Sequence, residues 1–315
     1  MAAGNHPQRR PPSPGGESQL TRIFAILGPT ASGKSEAAIE LAAQRQAPIL
    51  SVDSMQVYRG MDIGTAKPSA EEQARVPHLM IDLVEPEVEF SVAQFQATAR
   101  QLMNRHPEVF IVGGSGLHFR SVVDPLDFPP TDQSLRERLE TVEDPVAALV
   151  GADPGATEIV DIKNPRRVLR ALEIFHLTGE TPTSRSRHPH RLRVKRYEAL
   201  YEFRAVGLDP GTALADRIAE RVELMREAGL WEEVERLRHR LGRTASRAVG
   251  YRQLIRAMDG EITSSEGWAE IGRATLALAR RQRTYFRRDP RIDWQPWEDD
   301  LDQRLAGVAR ALGIK

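Results

Sequence analysis

The sequence contains no cysteine among its 315 residues, and aromatic residues make up only 6% of it. Without cysteine, disulfides, thiolate metal ligands and cysteine nucleophiles are excluded. No apolar run approaches the ~18 residues that a membrane-spanning helix needs. Neither sign of charge is in excess, because 44 Lys and Arg balance 44 Asp and Glu. The lack of cysteine fits a cytoplasmic protein, and we expect that location, no membrane association and a monomer.

Short apolar runs and helical patterns alternate along the first half of the chain. This alternation predicts an α/β fold, a parallel sheet wrapped by helices, in which ligands bind at the carboxyl ends of the strands. A late strand within 197–208 would rejoin the sheet. Helices are also predicted over 212–241, with a break near Gly229, and over 266–286. The early strands are predicted at Ile23–Leu27, Ile49–Val52, His78–Leu83 and Val109–Val112, with helices at 34–45 and 91–104.

Composition divides the chain into a tail, a core and an insertion. Residues 1–20 are rich in Pro, Gly and polar residues and lack the apolar segment of a signal peptide, so we expect a disordered tail. Pro, Asp and Glu become frequent from about residue 121, together with several short helical patterns. The simplest partition is an α/β core of residues 21–120 and 196–315, interrupted by an all-helical insertion at 121–195.

One loop fits the pattern G-x-x-x-x-G-K-[ST] at every fixed position, between a predicted strand and a predicted helix. This is the context of a phosphate-binding loop, or P-loop. Its glycines let backbone N–H groups point at anionic oxygens, and the following helix adds the positive end of its dipole. Lys34 adds a formal charge, and the Ser35 hydroxyl can ligate Mg²⁺. The residues predicted to hold a phosphate or pyrophosphate are Gly28, Pro29, Thr30, Ala31, Ser32, Gly33, Lys34 and Ser35.

A second polar run, Asp53–Pro68, follows the second predicted strand. Asp53 lies at the edge of the sheet where the ligand is expected. A carboxylate beside phosphate and Mg²⁺ can be a general base or a metal ligand, and composition alone allows either role. Asp82 ends another apolar run and is a second candidate. On these residues alone, a P-loop kinase or NTPase that uses ATP is an open interpretation.

Positive charge is concentrated in two segments. Residues 161–204 carry eleven Lys and Arg against five Asp and Glu. Residues 273–291 carry seven Arg against one Asp, with Tyr285 and Phe286 interleaved. Basic clusters with aromatics are typical of nucleic-acid-binding surfaces, whereas charge runs alone usually only solvate a helix face. Both interpretations are open at this point.

Several further motifs occur in a characteristic order along the chain. They are the P-loop, Asp53–Pro68, Pro77-His78, Ile81-Asp82, Gly113-Gly114-Ser115-Gly116-Leu117, Arg170-Ala171-Leu172-Glu173, Thr178-Gly179, Gly250-Tyr251-Arg252-Gln253, and Arg281-Gln282 with Thr284. This series resembles the tRNA dimethylallyltransferases, also called tRNA isopentenyltransferases. The resemblance extends from about residue 23 to residue 290 and is most specific over Asp53–Pro68.

The resemblance implies transfer of a dimethylallyl group from dimethylallyl pyrophosphate to N6 of adenine 37, beside the anticodon, in tRNAs that read codons beginning with U. The product would be N6-isopentenyladenosine. The P-loop would hold the pyrophosphate of the prenyl donor, with Mg²⁺ on Ser35. Asp53 would be the general base on the adenine amine, and the Ser115 hydroxyl would serve at the catalytic site. The helical insertion would grip the anticodon stem.

The resemblance also implies which residues contact tRNA, and it makes both basic segments candidate tRNA surfaces. The implied contacts are Asp53, Ser54, Met55, Gln56, Arg166, Arg167, Arg170, Arg247, Arg252, Arg280, Arg281, Gln282 and Arg287.

The chain departs from the family pattern at a few positions. Ser115 and His118 stand where the family usually has Thr and Tyr, Leu79 replaces the second His of Pro-His-His, and Leu276 replaces an Arg. None of these positions lies in the P-loop or at Asp53. Separately, Trp294 and Trp297 follow the last strongly predicted helix, and we expect both to pack against the C-terminal tail.

Two further functions are less consistent with the sequence. A non-catalytic tRNA-binding module would have no use for an intact P-loop with Asp53. An enzyme that prenylates free adenine nucleotides would not need the basic insertion or the Arg-rich helix. The kinase alternative is separable by experiment, because it requires ATP or GTP, whereas the transferase needs only prenyl pyrophosphate and Mg²⁺.

Overall fold

The computed structural model describes residues 21–314, so the predicted tail at 1–20 lies outside the described residues. Its strands are β1 Arg22–Leu27, β2 Ile49–Ser51, β3 His78–Leu79, β4 Glu108–Gly113, β5 Phe203–Leu208 and β6 Ile292–Gln295. They form one all-parallel sheet in the order β3-β2-β4-β1-β5-β6. The predicted α/β fold is therefore confirmed.

Helices surround the sheet, and several predicted ones lie where the sequence placed them. The helix predicted over 212–241 is broken at Gly229, whose φ of 92° ends one helix and begins another. The helices are α1 Lys34–Arg45, α2 Ala70–Arg75, α3 Val92–Met103, α4 Gly116–Val123, α5 Gln133–Glu140, α6 Pro145–Ala152, α7 Ala156–Ile159, α8 Pro165–Thr178, α9 Pro182–Ser186, α10 Pro189–Lys195, α11 Leu214–Glu227, α12 Leu230–Leu237, α13 Tyr251–Met258, α14 Ser264–Phe286 and α15 Leu301–Leu312, with 3₁₀ turns at Gly211–Ala213 and Ala245–Arg247.

Two predicted strands have other bounds in the structure, and one strand of the structure was not predicted, in each case for a local reason. β3 stops at Leu79, because Met80 and Asp82 have positive φ angles of 67° and 51°, which extended backbone does not allow. β5 begins at Phe203, after Tyr197 has turned the chain with a φ of 57°. β6 was not predicted, because this four-residue strand lacks an apolar run. Trp294 lies in β6 and packs against Gly207 of β5.

The apolar core lies on both faces of the sheet. Helices α5 to α8, within residues 121–195, bury a separate small cluster that includes Leu139, Leu149, Val168 and Leu172. Across residues 21–314, no helix combines the length and the apolar character that crossing a membrane would require.

Candidate active site

The carboxyl ends of β1, β2 and β4 open onto two adjoining cavities. The smaller, of about 110 Å³, is lined by Lys34, Ser35 and Gln56. The larger, of about 300 Å³, has an apolar lining that includes Met225 and Ile271. Six residues line both cavities and thus mark their junction: Thr30, Asp53, Thr65, Gly114, Arg221 and Gln282.

The P-loop has the geometry of an anion site. A Cβ on Gly28 would lie 2.2 Å from the carbonyl oxygen of Leu208, so only glycine fits there. Gly33, at a φ of 68°, is the N-cap of α1 and supplies no side-chain cap to the helix start. The first N–H groups of α1 are therefore available to an anion. The Ser32 hydroxyl oxygen is buried without a hydrogen-bond partner in the described structure, as expected of a loop that awaits a polar ligand.

Two cations face the carboxylate of Asp53. Lys34 donates through Nζ to the carbonyl of Pro29 at 3.0 Å. The pKa of Lys34 is lowered to about 8, chiefly by burial and next by the nearby Arg221 guanidinium, whereas Asp53 acts in the opposite direction. Burial also lowers the pKa of Arg221, again opposed by Asp53. An anion bound here would stabilise both charges.

Arg221 was missed by the sequence analysis, although a signal was available. It lies on α11 three residues after Ile218 and directly before Val222, both of which belong to the apolar side of the helix. An arginine on the buried side of an amphipathic helix needs an anionic partner, and this position could have been read that way.

The Asp53 side chain is fixed at one oxygen and open at the other. Oδ1 accepts the backbone N–H of Met55 at 2.8 Å. Within residues 21–314, Oδ2 accepts no hydrogen bond, so it is available to a substrate proton. Gln56 is bound more fully: its amide donates to the carbonyls of Thr65 and Ala66, and its Oε1 accepts from the Ser51 hydroxyl at 2.7 Å.

Ser115 and His118, two of the departures from the family pattern, contact each other. The Ser115 hydroxyl lies 2.7 Å from Nδ1 of His118. The imidazole is buried against the ring of Phe95, and burial lowers the pKa of His118 to about 4, with Asp53 opposing. His118 is therefore neutral near pH 7, and it orients the Ser115 hydroxyl at the wall of the larger cavity.

A buried carboxylate holds the turn that lies behind Asp53. Glu233, only 2% exposed, accepts the backbone N–H groups of Asp62, Ile63 and Gly64 and the hydroxyl of Tyr251. Burial and the Glu233 charge raise the pKa of Tyr251. Sequence analysis missed Glu233. The available signal was its position next to Val234 on the apolar side of α12, where an unpaired charge is not expected.

Lys67 stabilises the same turn through a second set of contacts. Its Nζ donates to the carboxylates of Asp62 and Asp82, each at 2.6 Å, and to the carbonyl of Tyr58 at 2.9 Å. Asp82 lines neither cavity. The structure thus pairs Asp82 with Lys67, and of these two aspartates Asp53 is the one that lines the cavities.

The side chains predicted to bind tRNA differ in their surroundings: some line the larger cavity, some have intramolecular partners, and some form no ion pair within residues 21–314. Arg281 and Gln282 line the larger cavity, and Gln282 accepts the N–H of Thr30 at 2.9 Å. Others have intramolecular partners: Arg170 pairs with Glu173 at 2.6 Å and donates to backbone carbonyls, and Arg287 pairs with Asp209 and stacks on Trp294. Arg167 pairs weakly with Asp161. Within residues 21–314, no ion pair is formed by Arg166, Arg247, Arg252, Arg280 or Arg281.

Residues 56–289 match the family described as IPP transferase. The chain belongs to the IPP transferase family. Proteins named tRNA dimethylallyltransferase are similar over most of its length: that of Bifidobacterium longum is 44% identical over 307 residues, covering 92% of this chain and 90% of its own. That of Streptomyces avermitilis is 42% identical over 300 residues, covering 90% and 91%.

Solved structures of IPP transferases are similar in fold as well. The tRNA isopentenylpyrophosphate transferase of Bacillus halodurans superposes with a TM-score of 0.66 at 34% identity, covering 93% of this chain and 97% of that one. A eukaryotic dimethylallyltransferase described as acting on tRNA superposes with a TM-score of 0.72 at 20% identity, which supports the fold alone. The family match begins at Gln56, so the P-loop of this IPP transferase precedes the matched residues.

Proposed function

We propose that this enzyme transfers a dimethylallyl group from dimethylallyl pyrophosphate to N6 of adenine 37 in tRNAs that read codons beginning with U. The observation that carries the proposal is the position of Asp53. Its carboxylate lies where a cavity bounded by the P-loop joins an apolar cavity bounded by α11 and α14. One cavity suits a pyrophosphate, the other suits a prenyl group and a base, and the reacting atoms would meet between them.

The residues at the junction and in the adjoining walls of the two cavities supply what the reaction needs. An exocyclic adenine amine is a poor nucleophile, and the free Oδ2 of Asp53 can accept its proton as the C–N bond forms. The bond from the allylic carbon to the pyrophosphate oxygen breaks. Lys34, Arg221 and the N–H groups at the start of α1 are placed to stabilise the charge that grows on the leaving pyrophosphate. Ser115, oriented by His118, is placed to hydrogen-bond the base.

The side-chain oxygens that line the smaller cavity fit a Mg²⁺ ion that is bound together with the substrate. Mg²⁺ binds through one or two protein oxygens and substrate phosphates, and Ser35 and Asp53 face the same small cavity. In the described part of the chain, no group of three or more His, Asp or Glu side chains could hold a metal unaided. Mg²⁺ held by Ser35, near Asp53, would neutralise pyrophosphate charge.

The tRNA would lie across the mouth of the larger cavity. Arg281 lines that cavity, and Arg166 of α8 and Arg280 of α14, which form no ion pair within residues 21–314, offer charge to the phosphate backbone. The anticodon-loop base would leave its stack to reach Asp53, at modest cost because loop bases are partly exposed. In this proposal the helices within 121–195 grip the anticodon stem, and the enzyme acts in the cytoplasm.

A single incubation tests the proposal. Purified protein is mixed with unmodified tRNA, dimethylallyl pyrophosphate and Mg²⁺, without ATP, and the digested nucleosides are analysed by mass spectrometry. We expect N6-isopentenyladenosine, absent when either substrate is omitted. Unmodified adenosine alone would contradict the proposal. A reaction that requires ATP would favour the kinase or NTPase, which the similarity to tRNA dimethylallyltransferases does not support.

A further inference from the structure

The segment after β6 touches the outer side of the P-loop. A Cβ built on Gly33 would lie 3.3 Å from Cη2 of Trp297 and 3.4 Å from Cζ of Arg304. Trp297 therefore does not simply pack against the C-terminal tail, as its sequence position suggested. Its indole reaches the glycine that begins α1.

Two guanidinium groups lie over the Trp297 ring, each 4.8 Å from its centroid. One belongs to Arg217 of α11, which also donates through Nε to the carbonyl of Ala31 at 2.8 Å. The other belongs to the buried Arg304 of α15, which donates to Glu36 at 2.7 Å in the first turn of α1. We call Trp297, Arg217 and Arg304 the clasp.

The P-loop conformation needs support of this kind. Ala31 has a φ of 61°, in the left-handed region that disfavours a residue with a Cβ. Such a conformation persists only when surrounding contacts impose it. Arg217 fixes the carbonyl of this residue, and Trp297 covers Gly33 two residues later. None of the clasp residues lines either cavity, so they contact the P-loop itself and not the space that a ligand would occupy.

We propose that the clasp preorganises the P-loop for pyrophosphate, with Trp297 as its central positioning residue. The inference depends on the proposed function, because it takes the P-loop ligand to be the pyrophosphate of the prenyl donor. A loop already held in its binding conformation pays little ordering entropy when the anion arrives. Trp297 and Arg304 lie beyond residue 289, where the family match ends, so two of the three clasp residues lie outside the matched segment.

The test compares Trp297→Ala, Trp297→Phe and Arg217→Gln with wild type, using inorganic pyrophosphate and Mg²⁺ as the probe. We expect Trp297→Ala and Arg217→Gln to weaken pyrophosphate binding roughly tenfold in calorimetry. Phenylalanine keeps an aromatic face for both guanidiniums, so it should recover much of the loss. KM for the prenyl donor should rise, whereas KM for tRNA and the single-turnover rate with saturating donor should stay near wild type.

Trp268→Ala is the matched control, because it removes a partly buried indole whose ring faces Arg226 at 5.6 Å and not the P-loop. Equal losses of pyrophosphate affinity in Trp268→Ala and Trp297→Ala would overturn the proposal, because they would indicate general destabilisation. Wild-type pyrophosphate affinity in both Trp297→Ala and Arg217→Gln would overturn it directly. If the wild-type protein itself bound no pyrophosphate, that result would contradict the proposed function, and the clasp proposal, which depends on it, would be overturned as well.

Discussion

Two lysines near the active site have opposite surroundings. Lys67 is 3% exposed in its side chain and reaches two carboxylates and a carbonyl. Within residues 21–314, Lys34 donates a hydrogen bond only to the Pro29 carbonyl, and burial with a neighbouring arginine lowers its pKa to about 8. The charge of Lys67 is therefore paired with carboxylates, whereas the ammonium of Lys34 contacts no carboxylate within residues 21–314.

In the proposed function, this difference separates a structural charge, that of Lys67, from a ligand-binding charge, that of Lys34. A fold that buries charge for stability supplies the counter-charge, as Asp62 and Asp82 do for Lys67. A site that must bind an anion leaves its cations without contacting counter-charges, and the perturbed pKa of Lys34 records the cost. The same contrast divides the aspartates, because Asp82 contacts a lysine and Asp53 keeps a free oxygen.

The largest expected effect tests the two aspartates. Asp53→Asn keeps the size of the side chain but cannot accept the adenine proton, so the single-turnover rate with prebound donor should fall roughly 10²–10⁴-fold. Asp82→Asn should change that rate little and should lower the free energy of unfolding by about 1 kcal/mol, because it weakens a partly exposed pair. Rapid-quench kinetics and urea titrations measure the two quantities.

The Mg²⁺ dependence of Asp53→Asn decides between its two possible roles. As a general base, Asp53 can be replaced with little change in donor affinity. As a Mg²⁺ ligand, its loss should collapse donor binding, with partial rescue by excess Mg²⁺. A near-normal single-turnover rate in Asp53→Asn would exclude both roles.

The next effect compares the lysines themselves. Lys34→Ala should weaken binding of dimethylallyl pyrophosphate by roughly 10–100-fold, the scale of a hydrogen bond to a charged group, without loss of the fold. Lys67→Met should instead lower the free energy of unfolding by about 1–2 kcal/mol and leave donor affinity close to wild type. Calorimetry and chemical denaturation check both variants. Wild-type donor affinity in Lys34→Ala would contradict the assignment of the P-loop.

Local chemistry explains which parts of this site could be predicted from sequence. The P-loop could be predicted because its glycines, which act through backbone geometry, and its lysine, which acts through side-chain charge, lie within eight consecutive residues. The strands with apolar runs were predicted for a similar reason, whereas β6, with two polar residues among its four, carried no such signal. Asp53 could be predicted as a site residue because it directly follows the apolar run Ile49–Val52.

Partners that come from distant segments could not be predicted in the same way. Arg221, Glu233 and Trp297 reach the site only because α11, α12 and the segment after β6 fold against it. Their local signals, a charge on the apolar side of a helix or a tryptophan after one, do not say what they contact. Tertiary contacts of this kind decide whether a charge is paired, and sequence alone did not distinguish Lys34 from Lys67 on that point.

The contrast between paired and unpaired charge extends to the predicted tRNA surface. Arg166 and Arg280 form no ion pair within residues 21–314, whereas Arg170 pairs with the buried Glu173. Each of Arg166→Gln and Arg280→Gln should weaken tRNA binding by up to about tenfold at low salt and reduce the salt dependence of the binding constant. Arg170→Gln should mainly destabilise the helices around Glu173. Filter binding at two salt concentrations, with donor binding as reference, measures this, and a flat salt response would mean that these arginines only solvate the surface.

The smallest expected effect is a pH dependence that separates Lys34 from an ordinary lysine. In the ligand-free protein, Lys34 loses its proton near pH 8, whereas the unfolded chain keeps it to about 10.5, so the free energy of unfolding should rise with pH between these values. Donor binding should respond in the opposite sense, because pyrophosphate requires the protonated ammonium. Donor affinity should therefore fall roughly fivefold from pH 8 to pH 9, with proton uptake on binding.

Calorimetry in two buffers of different ionisation enthalpy measures that uptake, and Lys34→Ala reports the titration of the donor alone. If wild type and Lys34→Ala showed the same pH profile, Lys34 would be an ordinary surface cation, and its contrast with Lys67 would not reflect function.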